Sequence, residues 1–245
     1  MKHLILYIIL PVLLLTSCSG SVKKEDLTDK QPEIILQTAA AFKSAEHIYG
    51  DDWKLIFRKI DDCQYIIFHT DINTINSFRD KLILSDGNSA FTNHDFVNLR
   101  FNVNYTEETS PDPVTGENGI INVLSSIERC SSDRFAAAGF EDDTAVEDFI
   151  LNLKKYVKTD STLEISNMIS YPLNITNRKS RIKINNPESF IKDYNIIFNK
   201  KVKNSIINQP LADVMASSKG LMIGAGEILI NKVDSKIHIT SINNY

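Results

Sequence analysis

Apolar and polar residues alternate without a break through "FVNLRFNVNY", with Val97, Leu99, Phe101, Val103 and Tyr105 on one side and Asn98, Arg100, Asn102 and Asn104 on the other. A period of two rests one face of a strand on a core and leaves the other wet. "WKLIFRKIDDCQYIIFHT" predicts two apolar strands joined by a turn at Asp61 and Asp62, hence a hairpin. Helical spacing takes over in residues 33–49, where Ile35, Ala39, Phe42 and Ala45 or Glu46 follow Pro32 and Gly50 stands ready to end the helix. Asp71 is placed to cap a short helix through Ile75, Phe78 and Leu82. The prolines and glycines of "TEETSPDPVTGENG" predict a long exposed loop, and residues 120–130 fit strand or helix equally.

Beyond that point the punctuation is stronger. Asp143 or Thr144 starts a helix striped by Val146, Phe149, Ile150, Leu153, Tyr156 and Val157, and Asp160 or Ser161 starts another with Leu163, Ile165 and Met168. "YPLNITNRKSRIKI" predicts a hairpin, and Asn186 with Pro187 opens a helix through Phe190, Ile191, Tyr194, Ile197 and Phe198. Three closing strands follow, over residues 214–216, 221–231 and 236–242.

The first residues, "MKHLILYIILPVLLLTSC", run from a basic start through a short apolar middle to small polar residues and a cysteine. That is the layout of a secretory signal. Leu15-Thr16-Ser17-Cys18 resembles the lipobox of bacterial lipoproteins. The resemblance implies cleavage before Cys18 and acylation there with palmitate-class chains. It implies a lipid anchor in the bacterial cell envelope and, with Ser19 after the cysteine, an outer-membrane address facing the periplasm. Two or more acyl chains hold where one does not, since each buried methylene contributes about 0.8 kcal/mol. The polar tract that follows lacks the apolar surface to order itself and reads as a tether. The organisation expected is residues 1–17 signal peptide, 18–31 lipidated terminus and tether, 32–142 an N-terminal α+β domain, and 143–245 a second α+β domain.

Helix, helix, hairpin, helix and strands over that last stretch, with "ISYPLNI", "FIKDYNIIF" and "GLMIGAGEILI", resemble the nuclear-transport-factor-two-like, cystatin-like cone fold of small bacterial envelope proteins. The fold class expected is therefore α+β, with a curved antiparallel sheet packed on helices around a conical pocket. Such a likeness concerns architecture and leaves chemistry open.

Charge divides the chain. Residues 30–143 carry ten basic and nineteen acidic side chains, and residues 144–245 carry fourteen and nine. An acidic chain of this kind has no affinity of its own for nucleic acid. The basic excess gathers on Arg178, Lys179, Arg181 and Lys183, candidates for meeting a protein partner, or else a solvated face. Cys63 and Cys130 either pair in an oxidising compartment or stand as unrelated thiols.

Glu227 shares strand parity with Leu221, Ile223, Ala225 and Leu229, which points a carboxylate at an apolar wall. It is either a pocket acid or base, with His238, Asp193 and Tyr194 as neighbours, or one half of an ion pair that fastens the sheet. No catalytic constellation, metal-ligand spacing or cofactor motif stands out, and no cofactor is expected. The reading that follows is a non-enzymatic, membrane-anchored binding lipoprotein, in one version an inhibitor or immunity protein against an envelope-targeting effector. The alternatives are an enzyme using Glu227 or His238 in the cone, and a structural envelope component.

Overall fold

A computed structural model describes residues 34–85, 89–111, 117–177 and 180–244. Cys18, the expected signal peptide and tether, and Arg178 with Lys179 lie outside these residues. Residues Ile34–Tyr245 form one compact unit, of mixed α+β class with curved sheets.

Its first part is a closed barrel of five strands: β1 (Leu36–Tyr49), β2 (Asp52–Lys59), β3 (Tyr65–Asp71), β6 (Arg100–Pro111) and β7 (Asn118–Arg129), joined in the order β1-β2-β3-β7-β6. Every pairing is antiparallel except β3 with β7. Between β3 and β6 come the short helix α1 (Ile72–Ser77) and a small hairpin, β4 (Ile83–Ser85) with β5 (Ala90–Thr92). A five-stranded Greek-key barrel of this connectivity is an OB-type barrel. Phe57 is central to its core, with ring centroids 5.4 Å from Phe42, 5.5 Å from Phe68 and 6.1 Å from Phe101.

Two expectations change here, and one ambiguity is resolved. The helix expected over residues 33–49 is the strand β1, bonded to β6 along Leu36–Ala41 and to β2 along Ala40–Tyr49. Two ladders and the burial of Ala40 and Phe42 outweigh the few tenths of a kcal/mol per residue that favour alanine in a helix. The loop expected after Tyr105 is mostly ladder, since β6 runs on to Pro111 and β7 starts at Asn118, leaving residues 112–116 outside the described ones. Residues 120–130, ambiguous in sequence, lie in β7 up to Arg129. Asp71 does cap α1, its carboxylate accepting the Asn73 and Thr74 N–H groups.

The second part has α2 (Asp143–Lys158), α3 (Thr162–Asn167), β8 (Ile169–Thr176), β9 (Arg181–Ile184), α4 (Pro187–Ile197), α5 (Lys200–Asn208) and β10 to β13 (Met215–Ser217, Gly220–Ile223, Ile228–Val233, Lys236–Asn243). Asn186 caps α4 with Pro187 in its first turn, as its sequence predicts. The six strands lie in the order β10-β11-β12-β13-β8-β9, and only β13 with β8 is parallel. Val146, Ile150, Leu153, Phe190, Ile197, Val202 and Ile206 of the helices and Leu173, Ile223, Ile230 and Ile239 of the sheet are all buried in a shared apolar core.

The closing strand expected over residues 221–231 is instead the hairpin β11–β12. Gly224 (φ +67°) and Gly226 (φ +99°) adopt left-handed conformations that admit a turn where a regular strand would continue.

A polar joint holds the barrel's last strand to α2. Arg129, at the end of β7, has a side chain only 4% exposed. Its Nε donates to Asp80 at 2.8 Å, Nη1 to Glu147 at 2.9 Å and Nη2 to Asp148 at 2.6 Å. Arg134 donates to the other Glu147 oxygen at 3.1 Å, and Arg79 bonds Asp148. Lys154, buried on α2, donates to Asp95 and to the Gln209 carbonyl.

Asp143 organises the turn between the two parts. It accepts from the backbone N–H groups of Ser132 (2.9 Å), Arg134 (3.1 Å) and Phe135 (3.2 Å) and from the Ser132 hydroxyl. Burial pushes its pKa up, but those donors prevail and hold it below the ordinary 3.8. Asp143→Ala strands buried donors and is expected to cost about 2–3 kcal/mol at neutral pH in urea denaturation. Because the folded value is depressed, the carboxylate's contribution is complete above the ordinary value and disappears as pH falls through the folded one. The stability gap between the parent and Asp143→Ala should therefore narrow as acid is added below 3.8.

Candidate functional site

The sequence's pocket candidates do not converge. Glu227 is buried, but it lies in the β11–β12 turn and not on a strand. One oxygen pairs with Lys201 at 3.0 Å and the other accepts the Ala225 N–H at 2.7 Å. Burial raises its pKa, yet Lys201 and the backbone donors leave it net lowered, which suits a fixed anion and not a proton carrier. A Cβ at Gly224 would come within 2.2 Å of that carboxylate, so the glycine lets the loop close on it.

His238 pairs across from Asn231 in the sheet and alternates with the fully buried Ile239. Its ring therefore faces away from the helical core, with Nδ1 buried and without a hydrogen-bond partner. Tyr194 stacks on Phe198 at 5.3 Å and donates to Asp160 at 3.1 Å, while Asp193 is half-buried beside it on α4. Aliphatic side chains together with Phe190, Tyr194 and Phe198 form the core between helices and sheet, which gives an acid–base pocket there no support.

The basic hairpin also looks different in place. Arg181 and Lys183 are exposed on β9, an edge strand of the six. Charges on an edge deter another chain from pairing with it. At the opposite edge, β10 is only three residues long, a second protective device. Cys63, exposed in the β2–β3 turn, and Cys130, after β7, are free thiols, not a disulfide. Burial pushes the Cys130 thiol up, and its Sγ faces Asn102 Oδ1 at 3.2 Å. Among the described residues no group of His, Cys, Asp and Glu side chains is arranged to hold a metal ion.

The barrel carries the feature that stands out. β3 and β7 pair only at Phe68↔Asn122 and His69↔Val123. After β3 the chain enters α1, where Ile75 and Phe78 are buried in the apolar core. Before Phe68 the strands part around a cleft of about 510 Å³, lined by Lys54, Tyr65, Ile67, Tyr105, Glu107 and Ile120 among others. On its rim Tyr65 is 67% exposed, Ile67 42% and Ile120 74%. Lys54 has no ion-pair partner among the described residues. Burial and the nearby Lys54 hold the His69 imidazole below its ordinary value.

Residue-by-residue search for catalytic groups passes over this place, although a signal for it was present. "YIIFHT" is apolar at both parities: Ile66 and Phe68 face the barrel core, and Tyr65 and Ile67 face out. A strand apolar on both faces has something to cover each of them. A smaller cleft of about 310 Å³ at the joint is lined by Arg100, Ser132, Arg134 and Glu147, but Glu147 already answers one of its two guanidinium groups.

Compared with known protein families and with curated proteins, the chain matches no family model and no individual relative.

Proposed function

We propose that this is a lipid-anchored envelope protein that works by binding a partner, without chemistry of its own, and that the partner docks on the barrel around the β3–β7 seam. The observation that carries the reading is the cluster of exposed Tyr65, Ile67 and Ile120 around an open cleft, while both edges of the other sheet are guarded. Large apolar groups gathered at a concave place mark interaction surfaces. OB-type barrels bind oligonucleotides or oligosaccharides on the face of their second and third strands. The acidic excess of residues 30–143 opposes a phosphate backbone.

Anchoring rests on the lipobox-like Leu15-Thr16-Ser17-Cys18. The nuclear-transport-factor-two-like reading of the second half is supported by two helices, a hairpin, further helices and a curved six-stranded sheet in that order, used here for packing. In the inhibitor or immunity version, the partner is an effector that reaches the envelope, and opposed charges in the two halves speed its capture.

The test is a photocrosslinking residue, p-benzoylphenylalanine, at Ile120 in intact cells, with the same residue at exposed Met215 as control. A discrete protein adduct from Ile120 and none from Met215 is expected. Absence of any Ile120-specific adduct would overturn the binding reading.

A further inference from the structure

The backbone at the seam says what kind of partner fits it. In an antiparallel pair, alternate residues bond the neighbour and the ones between point away. The Lys59 N–H bonds the Gln64 carbonyl at 2.9 Å, which fixes the phase of β2 against β3. Tyr65 and Ile67 therefore turn their N–H and C=O groups away from β2 and into the gap before β7. One of these groups is answered: Asn122 Nδ2 donates to the Ile67 carbonyl at 3.1 Å, where the strands part. Among the described residues neither Tyr65 nor Ile67 has a ladder partner on β7, whose pairing with β3 begins at Phe68. Unpaired strand groups beside an apolar rim are a template for another strand.

Resting on the binding reading above, we propose that the seam takes a short extended segment of a partner polypeptide as an added strand along Tyr65–Ile67. Alternate apolar side chains of the segment would lie among Tyr65, Ile67 and Ile120, and a carboxylate would lie toward Lys54. The seam offers hydrogen-bonding backbone, which a glycan or a nucleic acid does not return in strand geometry. Lys54, in no ion pair among the described residues, lies on one wall, and Glu107 on the other orients a segment with an acid at one position and not a uniformly acidic one. A cleft of about 510 Å³ suits a few residues and not a folded domain edge.

The probe is a short acetylated and amidated peptide in which valine alternates with threonine, with one aspartate at a threonine position. Its partner is the same peptide N-methylated at alternate residues, so that side chains are kept and strand donors are lost. Added to the full mature chain, the unmethylated peptide should slow amide exchange at Tyr65 and Ile67 and bind at least about tenfold more tightly than the methylated one, the effect of one or two net hydrogen bonds. Ile67→Thr, on the outer face, should weaken the unmethylated peptide while leaving the fold intact by circular dichroism. Equal binding of the two peptides, or no change in exchange at Tyr65 and Ile67, would overturn strand addition. If Ile120 still yields its adduct in cells, the binding reading survives that failure; if the adduct is missing too, both fall.

Discussion

Arg129→Met should destabilise the protein by about 3–5 kcal/mol, read as a shift in the urea midpoint, the usual cost of removing one partner from a buried charge cluster. Methionine nearly fills the volume, so the loss is electrostatic: Asp80 stays buried without the guanidinium that answers it, and Glu147 keeps only Arg134. Burial already lifts both carboxyls above their ordinary values, against the pull of Arg129. Burial would lower Arg129 in turn, but the surrounding carboxylates hold it net raised and charged.

Raised acids carry a definite sign. Their penalty is complete above the folded pKa and relieved as pH falls through it. Removing Arg129 raises them further, so the defect should be largest at neutral pH and shrink on mild acidification. A triple variant that replaces Arg129, Asp80 and Glu147 with apolar residues of similar volume should recover most of the loss. A full loss at every pH, or no recovery in the triple variant, would show that packing and not charge holds the joint.

Cys18→Ser should abolish incorporation of labelled palmitate completely and leave residues 1–17 attached, as read by intact mass. The parent chain should begin at Cys18 and carry the mass of several acyl chains. One chain binds a bilayer marginally and reversibly, whereas two or more give a stable anchor. Label retained by the serine variant, or a bare thiol at the processed terminus of the parent, would remove the anchor and the compartment together. Among the described residues no helix is long and apolar enough to cross a membrane.

Strong local signals in the sequence survive folding. Asp71, Asn186 with Pro187, and the later part of the alternation expected from Val97 to Tyr105 each name their own structure, because cap geometry and a two-residue period are decided within a few residues; the strand starts only at Arg100, since Val97 and Asn98 form a turn with Asn98 at φ +68°. β1 was illegible for the opposite reason. Its alanines and Phe42 fit a helix as well as a strand, and only partners distant in sequence, Phe57 and Phe101 among them, decide between the two.

The candidate site failed in the same way. Glu227 on a regular strand would aim inward, but Gly224 and Gly226 turn the chain one step earlier and hand its carboxylate to Lys201. Tyr65 and Ile120 are far apart in sequence and become one surface only when β3 meets β7.

The parallel pair of β13 with β8 in the six-stranded sheet has a consequence for biogenesis. β8 is the first strand of that half to be synthesised and β13 the last, yet they lie side by side. A nascent chain stopped short of Lys236 therefore holds β8–β9 and β10–β12 as separate fragments with an exposed flank each, open to proteases and holding chaperones. Zipping must wait for the final stretch to emerge, and this late, long-range closure is the step most open to rescue by a chaperone.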